Sequence, residues 1–152
     1  MALIKVNDEY GYIGKSGDII IEPQFEDASS FGEGGLAVVK IGDSYGFIDE
    51  TGKIVIKPKY EYVKNFGEND LTPFFSDYKI GYLNKSGEEI IEPQFDCFYG
   101  PNSFDGADAF FLFYHNFYDD GYALVKIGDK MGVINEDGEY VINPKFDSLN
   151  NY

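Results

Sequence analysis

Short apolar runs separated by polar turns recur along the chain. In residues 36–58, "LAVVKIGDSYGFIDETGKIVIKP", two apolar runs flank Gly42 and Asp43, and a third follows Gly52. Valine and isoleucine favour strands in runs of this length. A Gly-Asp pair between two such runs is typical of a tight hairpin turn, which requires a positive φ angle. The segment therefore predicts three short strands joined by two tight turns.

The same pattern occurs four times in one register. A first glycine recurs at positions 11, 46, 81 and 132, a second at 17, 52, 87 and 138, and a proline at 23, 58, 93 and 144. Each set is spaced by 35, 35 and 51 residues, and this agreement indicates an internal repeat. The chain is predicted to be one domain, 1–152, with units 1–35, 36–70, 71–121 and 122–152. The longer last spacing predicts an insert near residues 98–114.

Residues 14–18, "GKSGD", end like a phosphate-binding loop, but their context favours a turn. A phosphate loop of this type needs a glycine at the position of Glu9 and a helix after the loop. The strand-like segment "DIIIEPQF" follows instead, and the same place in the other units holds "ETG", "NKSG" and "NEDG". A polar loop that ends in glycine suits the second turn of each unit.

The predicted fold is all-β, with tandem β-hairpin repeats of about 35 residues stacked as an open, twisted array. Because an isolated hairpin is only marginally stable, each unit is expected to bury apolar residues against the next. Proline should end the third strand. The aromatic residue two positions later should fold back onto the core: Phe25, Tyr60, Phe95 and Phe146. A small four-bladed propeller is the alternative, although propeller blades usually need about 40 residues or more.

These repeats resemble the bacterial WG-repeat family, also called KWG. Residues 45–60 are similar to its aromatic-Gly-aromatic-Ile-Asp and Gly-Lys-x-Val-Ile-x-Pro-x-aromatic elements, and residues 31–40 to its Phe-x-Glu-Gly-Leu-Ala-x-Val-Lys element. The family's tryptophan position holds other residues here: Tyr10, Tyr45, Ile80 and Met131. The resemblance implies tandem β-hairpins, an interaction role and no catalytic residues. Some small bacterial proteins with such repeats look like immunity proteins for secreted toxins.

The chain is strongly acidic, with 27 acidic and 12 basic residues and a net charge of −15. Every basic residue is a lysine. This charge repels nucleic acid and anionic lipid, and it favours a basic protein partner. No apolar run approaches the roughly 20 residues that span a bilayer, and no signal peptide is recognisable. We therefore expect a cytoplasmic protein that binds neither nucleic acid nor membrane.

The insert lies in an aromatic segment, residues 97–122, that also contains several aspartates. Repeat proteins often place their binding face at such an irregularity, and aromatic residues are common interface anchors. Two interpretations stand: a binding loop, or an extra hairpin that packs on the core. The first predicts a partner-binding set: Phe98, Tyr99, Phe104, Asp105, Asp108, Tyr114, Tyr118, Asp119 and Asp120.

No catalytic residue, cofactor or metal site is predicted. His115 is the sole histidine, and no partner for acid–base catalysis is recognisable beside it. Cys97 is the sole cysteine, so no internal disulfide can form, and a buried thiol is expected. Residues 102–108, "NSFDGAD", echo a calcium-binding loop but lack its distal glutamate.

The sequence thus favours a non-catalytic protein-interaction module. The most specific version of this prediction is an acidic immunity- or inhibitor-type protein that covers a basic partner such as a bacterial toxin. The alternative is a repeat protein that binds a carbohydrate or cell-surface ligand through exposed tyrosine and phenylalanine side chains.

Overall fold

The computed structural model describes residues 1–97, 116–118 and 120–149, and these residues form fourteen β-strands. The strands are β1 (Ala2–Val6), β2 (Glu9–Ile13), β3 (Ile19–Phe25), β4 (Asp27–Ala28), β5 (Leu36–Ile41), β6 (Ser44–Asp49), β7 (Ile54–Tyr60), β8 (Tyr62–Val63), β9 (Leu71–Ser76), β10 (Lys79–Asn84), β11 (Glu89–Phe95), β12 (Tyr122–Ile127), β13 (Lys130–Asn135) and β14 (Tyr140–Phe146). In this described part, no helix is long and apolar enough to cross a membrane. The prediction of an all-β fold is confirmed.

The strands pair into four antiparallel sheets, one for each predicted repeat. Their orders are β1-β2-β3, β4-β5-β6-β7, β8-β9-β10-β11 and β12-β13-β14. The three longer strands of each sheet follow one another along the chain. The two middle sheets each gain a short strand from the preceding repeat, where Asp27 pairs with Lys40 and Tyr62 pairs with Phe75. Backbone hydrogen bonds therefore join consecutive repeats.

The first turn of each repeat is a two-residue hairpin turn. In the first repeat, Val6 pairs with Glu9, and the two residues between them have φ angles of 50° and 68°. In the second repeat, Gly42 has a φ angle of 62°. Positive φ at these positions matches the turn twist to that of the flanking strands. The predicted hairpin turns are confirmed.

In the last three repeats, a side chain at the start of the second turn bonds the loop backbone: Asp49, Asn84 and Asn135. The Asp49 carboxylate accepts hydrogen bonds from the Thr51 N–H at 2.9 Å and the Lys53 N–H at 3.1 Å. In the first repeat, Gly17 has a φ angle of 90° and donates its N–H to the Gly14 carbonyl at 3.1 Å. Strand β3 follows directly, so residues 14–18 form a turn, as predicted, and not a phosphate-binding loop.

The first glycine of each repeat faces a bulge in the third strand. Tyr10 pairs with Phe25 and Tyr12 pairs with Ile21, so β3 carries extra residues opposite Gly11. A Cβ atom on Gly11 would lie 2.6 Å from the Ile21 carbonyl oxygen. The same approach recurs in the other three repeats, at 2.5–2.7 Å from the corresponding carbonyl oxygen. Only glycine leaves room for the bulged strand, which explains the regular spacing of this residue.

Consecutive sheets pack face to face through one isoleucine in the third strand. Ile21, Ile56 and Ile91 are 3–4% exposed. The second-turn glycine of the next repeat lies against each of them: Cβ atoms on Gly52, Gly87 and Gly138 would lie 3.1–3.3 Å from the three isoleucines. Gly17, in the first repeat, has no such neighbour within 4 Å among the described residues. The array is therefore open, because a closed ring would place the fourth repeat against this glycine.

The aromatic residue after each proline is buried in three repeats. Phe25, Tyr60 and Phe95 are at most 4% exposed, as predicted. Phe146 is 39% exposed, so the prediction is wrong for the fourth repeat. The cause is positional, because Phe146 lies on the last sheet and no described strand of a further repeat packs over it.

Two tyrosines occupy the same core position in the first and third repeats. Tyr12 and Tyr82 are both fully buried. The Tyr12 hydroxyl donates a hydrogen bond to the Ser29 carbonyl at 2.8 Å, and burial beside Asp27 raises the pKa of Tyr12 to about 12. The Tyr82 hydroxyl has no hydrogen-bond partner among the described residues, and burial raises the pKa of Tyr82 strongly.

The glycine that faces the bulge can be tested by a matched pair of substitutions. Gly46→Ala should lower the free energy of unfolding by about 2–3 kcal/mol, since the new Cβ would overlap the Ile56 backbone. Gly67→Ala should change it by no more than about 0.5 kcal/mol, because Gly67 has open space around it. Urea denaturation measures both. Equal midpoints for the two variants would contradict the steric explanation.

The two buried tyrosines give a second prediction. Tyr12→Phe should destabilise the protein by about 1 kcal/mol, because the variant loses the hydrogen bond to Ser29. Tyr82→Phe should be neutral or stabilising, since the variant removes a buried hydroxyl that has no partner. Thermal and urea unfolding of both variants test this difference. A loss of stability in Tyr82→Phe as large as that in Tyr12→Phe would show that the Tyr82 hydroxyl is hydrogen-bonded.

Candidate interaction surface

Most of the predicted partner-binding set lies outside the described residues: Phe98, Tyr99, Phe104, Asp105, Asp108, Tyr114 and Asp119. The two described members, Tyr118 and Asp120, lie in a tight turn that leads into β12. The Gly121 N–H donates to the Tyr118 carbonyl at 2.9 Å, and Gly121 has a φ angle of 78°. Tyr118 is 39% exposed, and Asp120 is also exposed. Both side chains therefore reach the surface.

Tyr118 and Asp120 line a groove of about 370 Å³ beside the fourth sheet. Its remaining lining is largely apolar and includes Tyr122, Leu124 and Ile142. Tyr122 is 41% exposed. Two exposed tyrosines above an apolar floor form a surface that can bind an apolar side chain or stack on a flat ligand.

Phe117, next to Tyr118, belongs to the core. It is 7% exposed and packs on Tyr82 with their ring centroids 5.0 Å apart. Phe31 on Tyr12 and Phe66 on Phe47 are the same contact in the first two repeats. The sequence signal was available, because each of these phenylalanines stands five residues before the first strand of the next repeat. This covering role was not predicted from the sequence. It shows that Phe117 belongs to the regular repeat and that the insert ends before it.

A row of exposed apolar side chains follows the third strand of every repeat. We call it the outer-strand stripe, and its members are Ile19, Ile20, Ile54, Val55, Ile90, Tyr140 and Val141, which are 38–54% exposed. The third strand is the edge strand of its sheet in all four cases. Exposed apolar side chains concentrated on neighbouring strands are typical of an interaction site. The sequence predicted that these residues lie in strands, but their exposure was not predicted.

The outer strands are neighbours from one repeat to the next. The Lys59 ammonium bonds the Glu89 carboxylate at 2.6 Å across the second and third repeats, and this contact raises the pKa of Lys59. The rings of Phe95 and Tyr140 meet at 6.4 Å across the third and fourth repeats. The ion pair is largely exposed and contributes at most about 1 kcal/mol, so packing holds the junction.

Charged side chains border the stripe, and their sign changes between repeats. Glu22 and Glu92 are exposed on the outer strands of the first and third repeats, where the second repeat has Lys57. Asp18 and Glu88, in the preceding turns, add further exposed acids beside the first and third outer strands. The stripe is thus apolar at its centre and mostly acidic at its border in these two repeats.

A smaller polar pocket of about 190 Å³ lies in the loop between β8 and β9. Lys64, Asn65 and Thr72 line it, and burial lowers the pKa of Lys64. The Asn65 side-chain oxygen is buried and has no hydrogen-bond partner among the described residues. The pocket is roomy and polar enough to hold water molecules that would satisfy this oxygen.

The described residues include few side chains that are suited to catalysis. Burial, with a smaller contribution from the Asp96 carboxylate, raises the pKa of Cys97 to about 11, so its thiol is protonated and weakly nucleophilic at neutral pH. His115 and the calcium-like segment 102–108 lie outside the described part. Within that part, no three histidine, cysteine, aspartate or glutamate side chains lie close enough together to hold a metal ion.

Comparison with known proteins identifies the repeat. The sequence model of the family described as "WG containing repeat" matches residues 10–44, 45–79, 80–100 and 131–152. These matches begin at residues 10, 45, 80 and 131, with the spacing predicted for the repeat, and they leave residues 101–130 uncovered. No curated protein and no solved structure matches the chain. This repeat family is not known as a catalytic one, and its architecture points to a repeat-type module for protein interaction. The chain belongs to the WG-repeat family.

Proposed function

We propose that this chain is a non-catalytic module that binds and covers a basic protein, in the manner of an immunity or inhibitor protein. The observation that carries the proposal is the outer-strand stripe, which presents exposed aliphatic side chains beside exposed acids. An interface needs an apolar centre for affinity and a charged border for orientation and specificity. Along the first and third repeats, the stripe has an apolar centre and a charged border.

The charge of the whole chain supports a basic partner. A net charge of −15 creates a long-range negative field that accelerates encounter with a positive surface and repels acidic proteins. All twelve basic residues are lysines, so the chain has no guanidinium with which to clamp an acidic partner. The partner's lysines and arginines would instead face Glu22 and Glu92.

Carbohydrate binding is the second candidate, and the groove beside the fourth sheet favours it. Tyr118 and Tyr122 stand together at this groove and are 39% and 41% exposed. Aromatic faces of this kind stack on sugar rings. Val141 belongs to both the stripe and the groove, but Ile20 and Ile90 of the stripe are not among the groove's lining residues. Substitutions of Ile20 or Ile90 and substitutions of Tyr118 or Tyr122 therefore separate the two candidates.

The protein-binding proposal is tested by affinity capture with matched baits. Immobilised wild-type chain should retain a basic protein from a lysate of its source cells, and added salt should release that protein. Ile20→Asp and Ile90→Asp baits should retain at least about tenfold less, because each variant places an unpaired charge at the apolar centre. Ile41→Asp is the matched control, since Ile41 is 42% exposed and lies away from the stripe. Once the partner has been purified, titration calorimetry measures its affinity for the wild-type chain and for each variant.

The proposal fails if the retained proteins are not basic or if salt leaves their binding unchanged. Equal affinity for the Ile90→Asp and Ile41→Asp baits would exclude the stripe as the binding surface. Binding to a glycan array that is lost in Tyr118→Ala and Tyr122→Ala, with stripe variants unaffected, would establish the carbohydrate candidate instead.

A further inference from the structure

The contact between consecutive repeats is the same at all three junctions. At the first junction, Ala37, Val39 and Ile48 of the second repeat pack on Tyr12, Ile21 and Phe25 of the first repeat. We call the first set the leading face and the second set the receiving face. At the next two junctions, the leading-face positions hold Thr72, Phe74, Leu83, Ala123, Val125 and Ile134. All nine leading-face residues are at most 1% exposed.

The leading face of the first repeat is uncovered. Its residues at the corresponding positions are Ala2, Ile4 and Ile13. Ala2 is exposed, and Ile4 and Ile13 are half-buried, although their equivalents in the other repeats are fully buried. Gly17 is the equivalent of the glycine that lies on an isoleucine at each junction, and no atom in the described part of the chain lies within 4 Å of a Cβ placed on it.

The receiving face of the fourth repeat is uncovered as well. Ile142 is half-buried and Phe146 is 39% exposed, whereas their equivalents at the three junctions are at most 4% exposed. Val133, Val141 and Ile142 line the apolar groove described above. The groove is therefore the uncovered counterpart of a repeat junction.

A hydrogen bond from a backbone N–H to a side-chain carboxylate accompanies two of the junctions. The acid after the buried aromatic accepts it from the first hairpin turn of the next repeat: the Asp77 N–H donates to the Glu61 carboxylate at 3.1 Å, and the Gly128 N–H donates to the Asp96 carboxylate at 2.7 Å. Asp147 is the corresponding acid of the fourth repeat, and it is exposed. The corresponding donor in the first repeat is the backbone N–H of Asn7, in an exposed turn.

We propose that a second copy of this chain covers the receiving face with its own leading face. Ala2, Ile4 and Ile13 of one copy would pack on Ile142 and Phe146 of the other, as their equivalents do within the chain. Gly17 would lie on Ile142, and the Asn7 N–H would bond Asp147. The contact is head-to-tail, so each copy retains one free face and association extends beyond a dimer.

Electrostatics gives this association a distinctive salt dependence. Each copy carries a net charge of −15, so two copies repel each other at low ionic strength. Salt screens this repulsion and leaves the apolar contact intact. Added salt should therefore strengthen self-association, whereas it should weaken binding of a basic partner. The two proposals respond to salt in opposite directions, so they can fail independently.

Sedimentation velocity of the full chain, over a range of protein and salt concentrations, tests the proposal. The weight-average mass should rise above that of one chain with increasing protein concentration, and more steeply at high salt. Ala2→Glu and Phe146→Glu should each weaken association at least about tenfold, because each buries an unpaired charge in the contact. Both positions are exposed in the single chain, so both variants should fold. Val55→Glu is the control, since Val55 is 40% exposed and lies away from both faces.

Mixing the two variants tests the head-to-tail arrangement. Ala2→Glu keeps an intact receiving face, and Phe146→Glu keeps an intact leading face. A mixture should therefore form a dimer of one copy of each and stop there. A wild-type chain that stays monomeric at all concentrations and salt levels would overturn the proposal. So would a mixture that remains monomeric, or association that Val55→Glu weakens as much as the two face variants do.

Discussion

Burial of one repeat under the next is the interaction on which the rest of this structure depends. A three-stranded meander has too little interior to be stable alone. Each isoleucine of the set Ile21, Ile56 and Ile91 is buried only because the following repeat lies over it. Burying one such side chain stabilises the fold by about 1.5–3 kcal/mol. The three hydrophobic clusters of the core draw on residues from neighbouring repeats, so the stability of each repeat depends on its neighbours.

The glycine and the proline of each repeat make this stacking possible. The bulge before Pro58 brings the third strand across the backbone of Gly46, and it sets Ile56 and Tyr60 on the same buried side. The two lysines between them, Lys57 and Lys59, are exposed. A second register shift, between the pairs Phe47–Ile56 and Ile48–Ile54, makes Val55 of the stripe an extra residue of the third strand. The irregularities of this strand therefore separate the buried junction from the exposed edge of the sheet.

The repeat spacing predicted most of the fold because glycine and proline act through backbone geometry, which is local. The turns, the three long strands and the buried positions of Phe25 and Tyr60 all follow from a single repeat. The prediction that proline ends the third strand is wrong, because each third strand continues for two residues after its proline. Features that depend on neighbouring repeats could not be predicted from the sequence of a single repeat. Strands β4 and β8 are only two residues long and exist because the next sheet offers them a partner. Phe146 and Phe95 both stand in a Pro-x-Phe-Asp segment but differ in exposure, because position in the array decides their burial. For the candidate site, the spacing located the insert, but no local pattern distinguished the exposed Ile20 from the buried Ile21 before the bulge was known.

The position that the resemblance assigns to tryptophan has a packing role in this chain. Its four residues pair across the strands with the aromatic residue after proline, as Tyr45 pairs with Tyr60 and Ile80 with Phe95. Ile80 is fully buried, and Tyr45 is half-buried and stacks on Tyr62 at 5.6 Å. An aliphatic residue can fill such a position because packing needs volume and not an indole ring. A side chain enclosed between strands is poorly placed to contact a partner. Partner contacts in this chain are therefore expected from surfaces that the junctions leave uncovered, namely the outer strands and the two end faces.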